Sequence, residues 1–462
     1  MALFEFDEDR FYNTLYEYLS PSEPIDREEM LRGRELELDK AIKALRAPGR
    51  HLFIYGERGV GKSSLAQTVG YLYQSSDNEP IKVECSQDSE FYRIIEYIAE
   101  EAIKHPKENI ETTHQTRITA KILSYEYTHK TSKNSVKVTV DSMSDAVSVL
   151  GDIAVLHSEK PVIIIDEFDT ITDNSQRALF AILIKHLSDK KIPIKLILTG
   201  IGKSLTELLG AHLSSPRQLP QLHLDRLHWN GRFEIIAQVA RAFDIEISDD
   251  ISFRIAGISD GFPHWIHSVC EKLLIEAYED QQVIKKVTLD HYYAAIREVI
   301  TDMNESLRAP YEKATMKDTD DFHHILWALA DAHDSQRQFG NIYKSYLAIA
   351  KELSIPPIDK STFSRRLASL RKQSHGSVVE KLPNQLKWYK YSESILRGYA
   401  RLIAEVNGLT LNYESFDQPV TYTAQGRETK SSYNYANKGL ENKIQFRSER
   451  RYKLYDSDRL DY

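Results

Sequence analysis

Cysteine is scarce: Cys85 and Cys270 are the two thiols in 462 residues. Two thiols exclude a disulfide framework and a cysteine-based zinc site, and a reducing compartment is the expected setting. Both read as small core residues. Long apolar runs are also missing. No stretch approaches the roughly 18 apolar residues of a membrane helix, so no membrane partner is expected. The opening "MALFEFDEDRFYNTLYEYL" is acidic and aromatic, without the basic start and apolar centre of a secretory leader. A cytoplasmic location follows as the expectation. No nuclease or protease motif is visible, so any second chemistry is expected from another chain.

What remains is an ordinary globular composition, 41% apolar and 28% charged, with a formal net charge of −8. The charge is unevenly placed. From Phe322 to Leu411 there are 13 Lys/Arg against 7 Asp/Glu. The part before Phe322 is strongly acidic. A basic module joined to an acidic one predicts different partners for the two parts.

The densest signal is "IYGERGVGKSSLA", Ile54 to Ala66. "HLFIYG" before it reads as a buried strand, and "KSSLAQTVGYLYQ" has helical spacing. Between them Gly56, Glu57, Arg58, Gly59, Val60, Gly61, Lys62 and Ser63 form G-x-x-x-x-G-K-S in its required context. Such a loop turns its backbone N–H groups toward a phosphate, and the helix N-terminus adds positive potential. Lys62 is expected at the β- and γ-phosphates, Ser63 on Mg²⁺, and Ser64 beside them.

"PVIIIDEFDTI" supplies the acidic partner. Val162–Ile165 is a β-branched run suited to a strand covered on both faces. Asp166 and Glu167 follow at its end, where open α/β sheets place ligands. Asp166 is expected to hold Mg²⁺ and Glu167 to activate the attacking water. Asp169 reads as a surface or helix-capping residue. Some 30 residues on, "IPIKLILTGIGKSL" is another strand, ending in Thr199. Its hydroxyl is a candidate for the γ-phosphate or the attacking water. Strand-end turn chemistry is the alternative.

In this order the motifs resemble the AAA+ ATPases. "LRGRELELDKAIKAL", Leu31 to Leu45, is similar to a segment of the branch that holds origin-recognition initiators, transposition regulators and, more distantly, STAND signalling ATPases. The resemblance implies a parallel-sheet α/β P-loop core with a helical lid, ATP and Mg²⁺ as ligands, and hydrolysis between subunits of a homo-oligomer. It implies that Arg32, Gly33 and Arg34 border the base. It also implies that Arg217, in "LSSPRQLPQLHLDRL", projects into a neighbour's nucleotide, with Arg226 and Arg232 as competitors. The lid lacks the arginine that initiators often carry. Its Gly261-Phe262-Pro263-His264 instead resembles the Gly-x-Pro of STAND ATPases, which makes Pro263 and His264 candidate nucleotide contacts.

The expected layout is an N-terminal segment 1–25, a core 26–222, a lid 223–310, a winged helix 320–411 and a flexible or docking tail 412–462. The core carries a β-hairpin insertion near 116–142, read from alternation around a polar turn. For the winged helix, "DDFHHILWALADA", "NIYKSYLAIAKEL" and "DKSTFSRRLASLRKQ" read as three helices, and "SVVEKLPNQLKWYKY" as a hairpin. The third helix presents Arg365, Arg366, Arg371 and Lys372. The wing carries Lys381, Lys387 and Lys390. Such a surface suits duplex DNA phosphates, and equally a module used for protein contacts. Two uses are therefore expected: an ATP-controlled switch or loader on DNA, or a defence-type signalling ATPase that recruits a separate effector protein.

Overall fold

The computed structural model describes residues 6–74, 78–105, 138–201, 217–280, 284–303, 305–316, 319–383, 385–415, 417, 420–422 and 428–430. Nearly all of the expected hairpin insertion, and most of the tail beyond Asn412, lie outside these residues.

Helix α1 (Glu8–Tyr18) is capped by Asp7, whose carboxylate accepts from the Arg10 N–H. Helix α2 (Glu35–Arg46) leads to strand β1 (Leu52–Tyr55), the glycine loop and helix α3 (Lys62–Gln74). There follow β2 (Ile81–Glu84), α4 (Phe91–Lys104), α5 (Met143–Leu156), β3 (Val162–Asp166), α6 (Asn174–Asp189), β4 (Lys195–Gly200) and β5 (Gln221–His223). The five strands form one sheet in the order β2-β3-β4-β1-β5, and every pairing is parallel. Parallel neighbours need crossover helices, which cover both faces. That is why β3 and β4 are buried along their whole length. Val162 and Ile164 point into one core, with Leu65 and Val69 of α3. Ile163 and Ile165 point into a second, with α4, α5 and α6.

A helical region follows: α7 (Trp229–Ala242), α8 (Asp249–Ile258), α9 (Pro263–Glu279), α10 (Leu289–Thr301) and α11 (Glu305–Thr315). Pro263 occupies the first turn of α9, where its missing N–H costs nothing. α1 packs here too: Phe11 stacks on Tyr278 at 4.0 Å between ring centroids.

The part that follows holds α12 (Asp321–Ala330), β6 (Arg337–Gln338), α13 (Phe339–Glu352), α14 (Lys360–Ser369), β7 (Val379–Lys381), β8 (Trp388–Tyr391) and α15 (Ile395–Val406). Its three strands form an antiparallel sheet in the order β6-β8-β7. The three helices and the β7–β8 hairpin lie where the sequence predicts them. Asp359 caps α14, accepting from Ser361 N–H at 2.8 Å and Thr362 N–H at 3.0 Å. One apolar core runs from Leu65 of α3 through Trp265 of α9 to Leu367 of α14 and Tyr399 of α15. The C-terminal part is thus packed onto the rest of the molecule. No helix among the described residues is long and apolar enough to cross a membrane.

Candidate nucleotide site

The loop between β1 and α3 sits at the C-terminal edge of the sheet. Gly61 has φ +96, a conformation that a side chain would strain. Lys62 turns back over the loop and donates from Nζ to the Glu57 carbonyl at 2.9 Å. Burial pushes the Lys62 ammonium below its ordinary pKa, while Asp169, Asp166 and Glu167 pull it back up. A lysine so placed gains from an anion arriving beside it.

Asp166 ends β3 at 3% exposure. Its Oδ1 accepts from Ser63 Oγ at 3.0 Å, from Glu167 N–H at 3.1 Å and from Thr199 Oγ1. Its Oδ2 lies 3.3 Å from Lys82 Nζ. Glu167 adopts the left-handed region, φ 52. That conformation costs energy and is kept where the surroundings demand it, often at functional sites. Here it sets the exposed Glu167 side chain at the cavity.

A cavity of about 420 Å³ opens in front of these groups. Its walls include Arg58, Gly59, Gly61, Lys62, Ser63, Ser64, Asp166, Glu167, Pro263 and His264, all read from the sequence as site residues. Glu57 and Val60 shape the loop itself: the Glu57 carbonyl holds Lys62, and Val60 is fully buried.

Three expectations need correction. Arg32, Gly33 and Arg34, expected at the base, do not line this cavity. Arg34 is 4% exposed and donates from Nη2 to the carbonyls of Val60 at 2.9 Å and Asp225 at 2.6 Å. Arg32 donates to Gln238 at 2.9 Å. Gly33 faces Gly231 so closely that a Cβ would lie 2.6 Å from its Cα. Arg34 thus braces the loop, and Arg32 and Gly33 pack against α7. Thr199 is fully buried, and its hydroxyl is spent on Asp166 and on the Glu167 N–H at 3.1 Å. It orients the Asp166 carboxylate and does not face the cavity. Asp169 is half-buried and caps no helix. Its Oδ1 accepts from Ile201 N–H at 2.9 Å, and it lines the cavity.

The sequence missed the other wall, Ser20–Ile25, which crosses the cavity. Ser20 N–H donates to His267 Nδ1 at 3.2 Å, His264 Nδ1 to the Pro21 carbonyl at 2.8 Å, and Ile25 N–H to Ser64 Oγ at 3.0 Å. The stretch "SPSEPI" has no periodicity, so only its tertiary partners mark it.

Of the arginine candidates, Arg232 is structural, donating to the Leu227 carbonyl at 2.8 Å and the Ala256 carbonyl at 3.0 Å. Arg226 pairs with Asp260 at 2.6 Å and lies 3.4 Å from Glu57. Arg217 is exposed beside Gln218, whose carbonyl takes the His51 N–H at 2.8 Å. It stands at the N-terminal edge of the sheet. The length of β1, roughly 13 Å, separates it from the loop of its own chain. It cannot reach phosphates held there.

On the basic face Leu367 and Leu370 are fully buried. This turns Arg366 inward, where it pairs with Asp321 and lies over the Phe322 ring. Arg366 is thereby corrected as an outward DNA contact. Arg365, Arg371, Lys372 and Lys381 are exposed. Lys390 pairs with Glu380 at 3.3 Å, and Lys387 is half-buried in the hairpin turn.

The donor set suits Mg²⁺. One hydroxyl and one carboxylate 3.0 Å apart are the oxygen ligands a P-loop offers. Mg²⁺ keeps its waters and substrate oxygens, so it needs no all-protein cage. Among the described residues no group of three or more His, Cys, Asp or Glu side chains could build such a cage.

A glycine loop between strand and helix, an acidic strand end opposite its serine, and the strand order 2-3-4-1-5 define an AAA+ P-loop core. Residues 46–209 match the family model described as AAA domain, and that segment is an AAA+ P-loop domain. No curated protein matches the chain. Among solved structures, a Walker-type ATPase of Pyrococcus abyssi is similar at 18% identity and TM-score 0.46, covering 82% of this chain and 98% of its own. The Aeropyrum pernix ORC1 protein in complex with DNA is similar at 15% identity and TM-score 0.42, with 82% and 93% covered. A Thermotoga maritima RuvB Holliday junction branch migration motor is similar at 14% identity and TM-score 0.38, with 84% and 98% covered.

Proposed function

We propose that this chain is an ATP-driven switch that binds and hydrolyses ATP with Mg²⁺ and acts on duplex DNA through its basic C-terminal face. The observation that carries the reading is the convergence of Lys62, Ser63, Asp166 and Glu167 on one cavity wall. Lys62 and the loop N–H groups neutralise the phosphates. Ser63 and Asp166 hold the metal, which when bound neutralises charge on the transferred phosphoryl group. Glu167 accepts the proton of the attacking water, while Thr199 and the Glu167 N–H keep Asp166 oriented. Arg217, too far to act on its own site, serves that of an adjoining copy, which makes the active form a homo-oligomer.

Calorimetry and phosphate release test this directly. Lys62→Ala is expected to lose ATP binding. Glu167→Gln is expected to keep binding and lose about 10²–10⁴ in turnover, the share of a general base. Equal turnover in Glu167→Gln and the parent would reject the base.

A second reading has its own support. Ile395 of α15 reaches the loop, where a Cβ on Gly59 would meet it at 3.4 Å. Asp260, three residues before Pro263, binds Arg397 and Arg401 of the same helix. A C-terminal module clasped to the nucleotide loop favours a signalling ATPase that releases it to recruit an effector protein. Filter binding to duplex DNA across a salt series, with and without ATP, separates the two. Salt-sensitive binding supports the DNA switch, and its absence in folded protein supports the signalling reading.

A further inference from the structure

Lys82 stands on β2, the edge strand of the sheet. Its Cα partner across the strand is Ile164, two residues before Asp166. Alternation puts Lys82, Ile164 and Asp166 on the same face, the one covered by α3. An edge-strand lysine ordinarily stands in solvent and blunts unwanted pairing. This side chain instead runs diagonally along the sheet and is 30% exposed. Its ammonium ends 3.3 Å from Asp166 Oδ2.

The choice of oxygen matters. Oδ1 already accepts three hydrogens, from Ser63, Thr199 and the Glu167 N–H. Oδ2 is the oxygen with capacity left, and Lys82 is on it. Asp166 is nearly buried, so a carboxylate there requires a nearby positive charge. Lys62, the other lysine of the site, is directed to the Glu57 carbonyl. The two lysines therefore divide the work: Lys62 over the phosphate loop, Lys82 on the carboxylate.

We propose that Lys82 is a positioning residue that sets the Mg²⁺ requirement of the site by holding Asp166 Oδ2 and competing for it with the metal. The inference rests on the nucleotide-binding reading given above. Lys82 holds Asp166 aimed in the metal-free chain, and it gives up part of that contact when Mg²⁺ and nucleotide bind together. An edge lysine with no such task would leave the metal dependence alone.

The test uses the full chain carrying Glu167→Gln, so that nucleotide is bound without turnover. A fluorescent ATP analogue is held at fixed concentration and MgCl₂ is titrated. Lys82→Met is expected to lower the Mg²⁺ midpoint about three- to tenfold, the range of a partly exposed ion pair. Lys82→Arg restores a cation and is expected to keep the parental midpoint. Lys82→Gln is measured beside them and follows Lys82→Met, so a folding defect in one variant leaves the test intact. An unchanged or raised midpoint in folded Lys82→Met and Lys82→Gln overturns the proposal. So does a shift in Lys82→Arg equal to that in Lys82→Met. If the parent chain binds no analogue at any Mg²⁺ concentration, the nucleotide reading itself fails, a result distinct from a parental titration that the variants merely reproduce.

Discussion

Arg401 donates from Nη1 to Asp260 Oδ1 at 3.1 Å, joining two residues 141 positions apart. Arg397 reaches the same carboxylate at 3.2 Å, and Arg226 reaches it at 2.6 Å. Arg401 also donates to the carbonyls of Gly257 at 2.6 Å and Ala332 at 2.7 Å. Burial alone would raise the Asp260 carboxyl. The surrounding Arg397, Arg401, Arg226 and Arg232 outweigh it and hold the group well below the usual carboxylate range. One acid thus fastens the last helix of the basic module to the turn before Pro263.

Asp260→Asn is expected to cost about 3–5 kcal/mol, because it leaves buried guanidinium groups without their counter-charge. Arg397→Met is expected to cost less, since Asp260 keeps Arg401 and Arg226. Denaturant unfolding of the two variants gives the order, and a smaller loss in Asp260→Asn would contradict it.

Arg217 yields a prediction about assembly. If it acts on a neighbour, phosphate release per chain rises with protein concentration. Mixing Arg217→Ala with Glu167→Gln recovers part of the activity, because one kind of interface then holds both intact groups. No recovery in confirmed mixed oligomers would make Arg217 structural.

The basic face separates two adjacent arginines. Replacing Arg365 and Lys372 with Gln is expected to flatten the slope of log K against log salt by about 2, near 0.9 per phosphate contact. Arg366→Gln is expected to leave the slope unchanged and lower stability, since its partner is Asp321. Duplex DNA binding by the full chain at several salt concentrations reads both effects. A slope lost with Arg366 and kept without Arg365 would reverse the assignment.

Two buried histidines predict an acid limb of stability. His51 Nδ1 accepts from Leu196 N–H at 3.0 Å, and His267 Nδ1 accepts from Ser20 N–H at 3.2 Å. Each ring can gain a second proton only by losing that bond. Burial first, then Lys195, pushes His51 down to about 3. Burial first, then His264, pushes His267 down to about 4. Both folded values lie below the unfolded value, so the unfolded chain takes up more protons as pH falls. Stability is full above about pH 6.5 and declines toward pH 4, by about 1.4 kcal/mol per pH unit for each ring. Urea midpoints across that range measure the decline. His51→Gln is expected to remove one ring's share, and an unchanged slope would refute the assignment.

The phosphate loop was legible because its chemistry is local. Gly61, Lys62 and Ser63 are neighbours in the chain, and their spacing alone puts glycine, ammonium and hydroxyl at one helix start. Asp166 was legible because a β-branched run must be a covered strand, and a covered strand delivers its last residue to the sheet edge. The outward place expected for Arg366 failed one step beyond that reach. Helical spacing puts it beside Leu367, but Asp321, on another helix, decides where its charge goes.

Composition and short-range pattern thus determined the parallel-sheet core, the glycine loop, the acidic strand end and the basic C-terminal face. Each depends on residues within one element or its flanking turn. The tertiary structure alone decided that Arg34 braces the loop, that Thr199 serves Asp166, that Ser20–Ile25 walls the cavity and that Lys82 reaches the carboxylate. Each is a hydrogen bond, an ion pair or a wall between segments far apart in the chain. Periodicity carries no record of such partners, because packing brings them together only when the sheet and its helices close on one another.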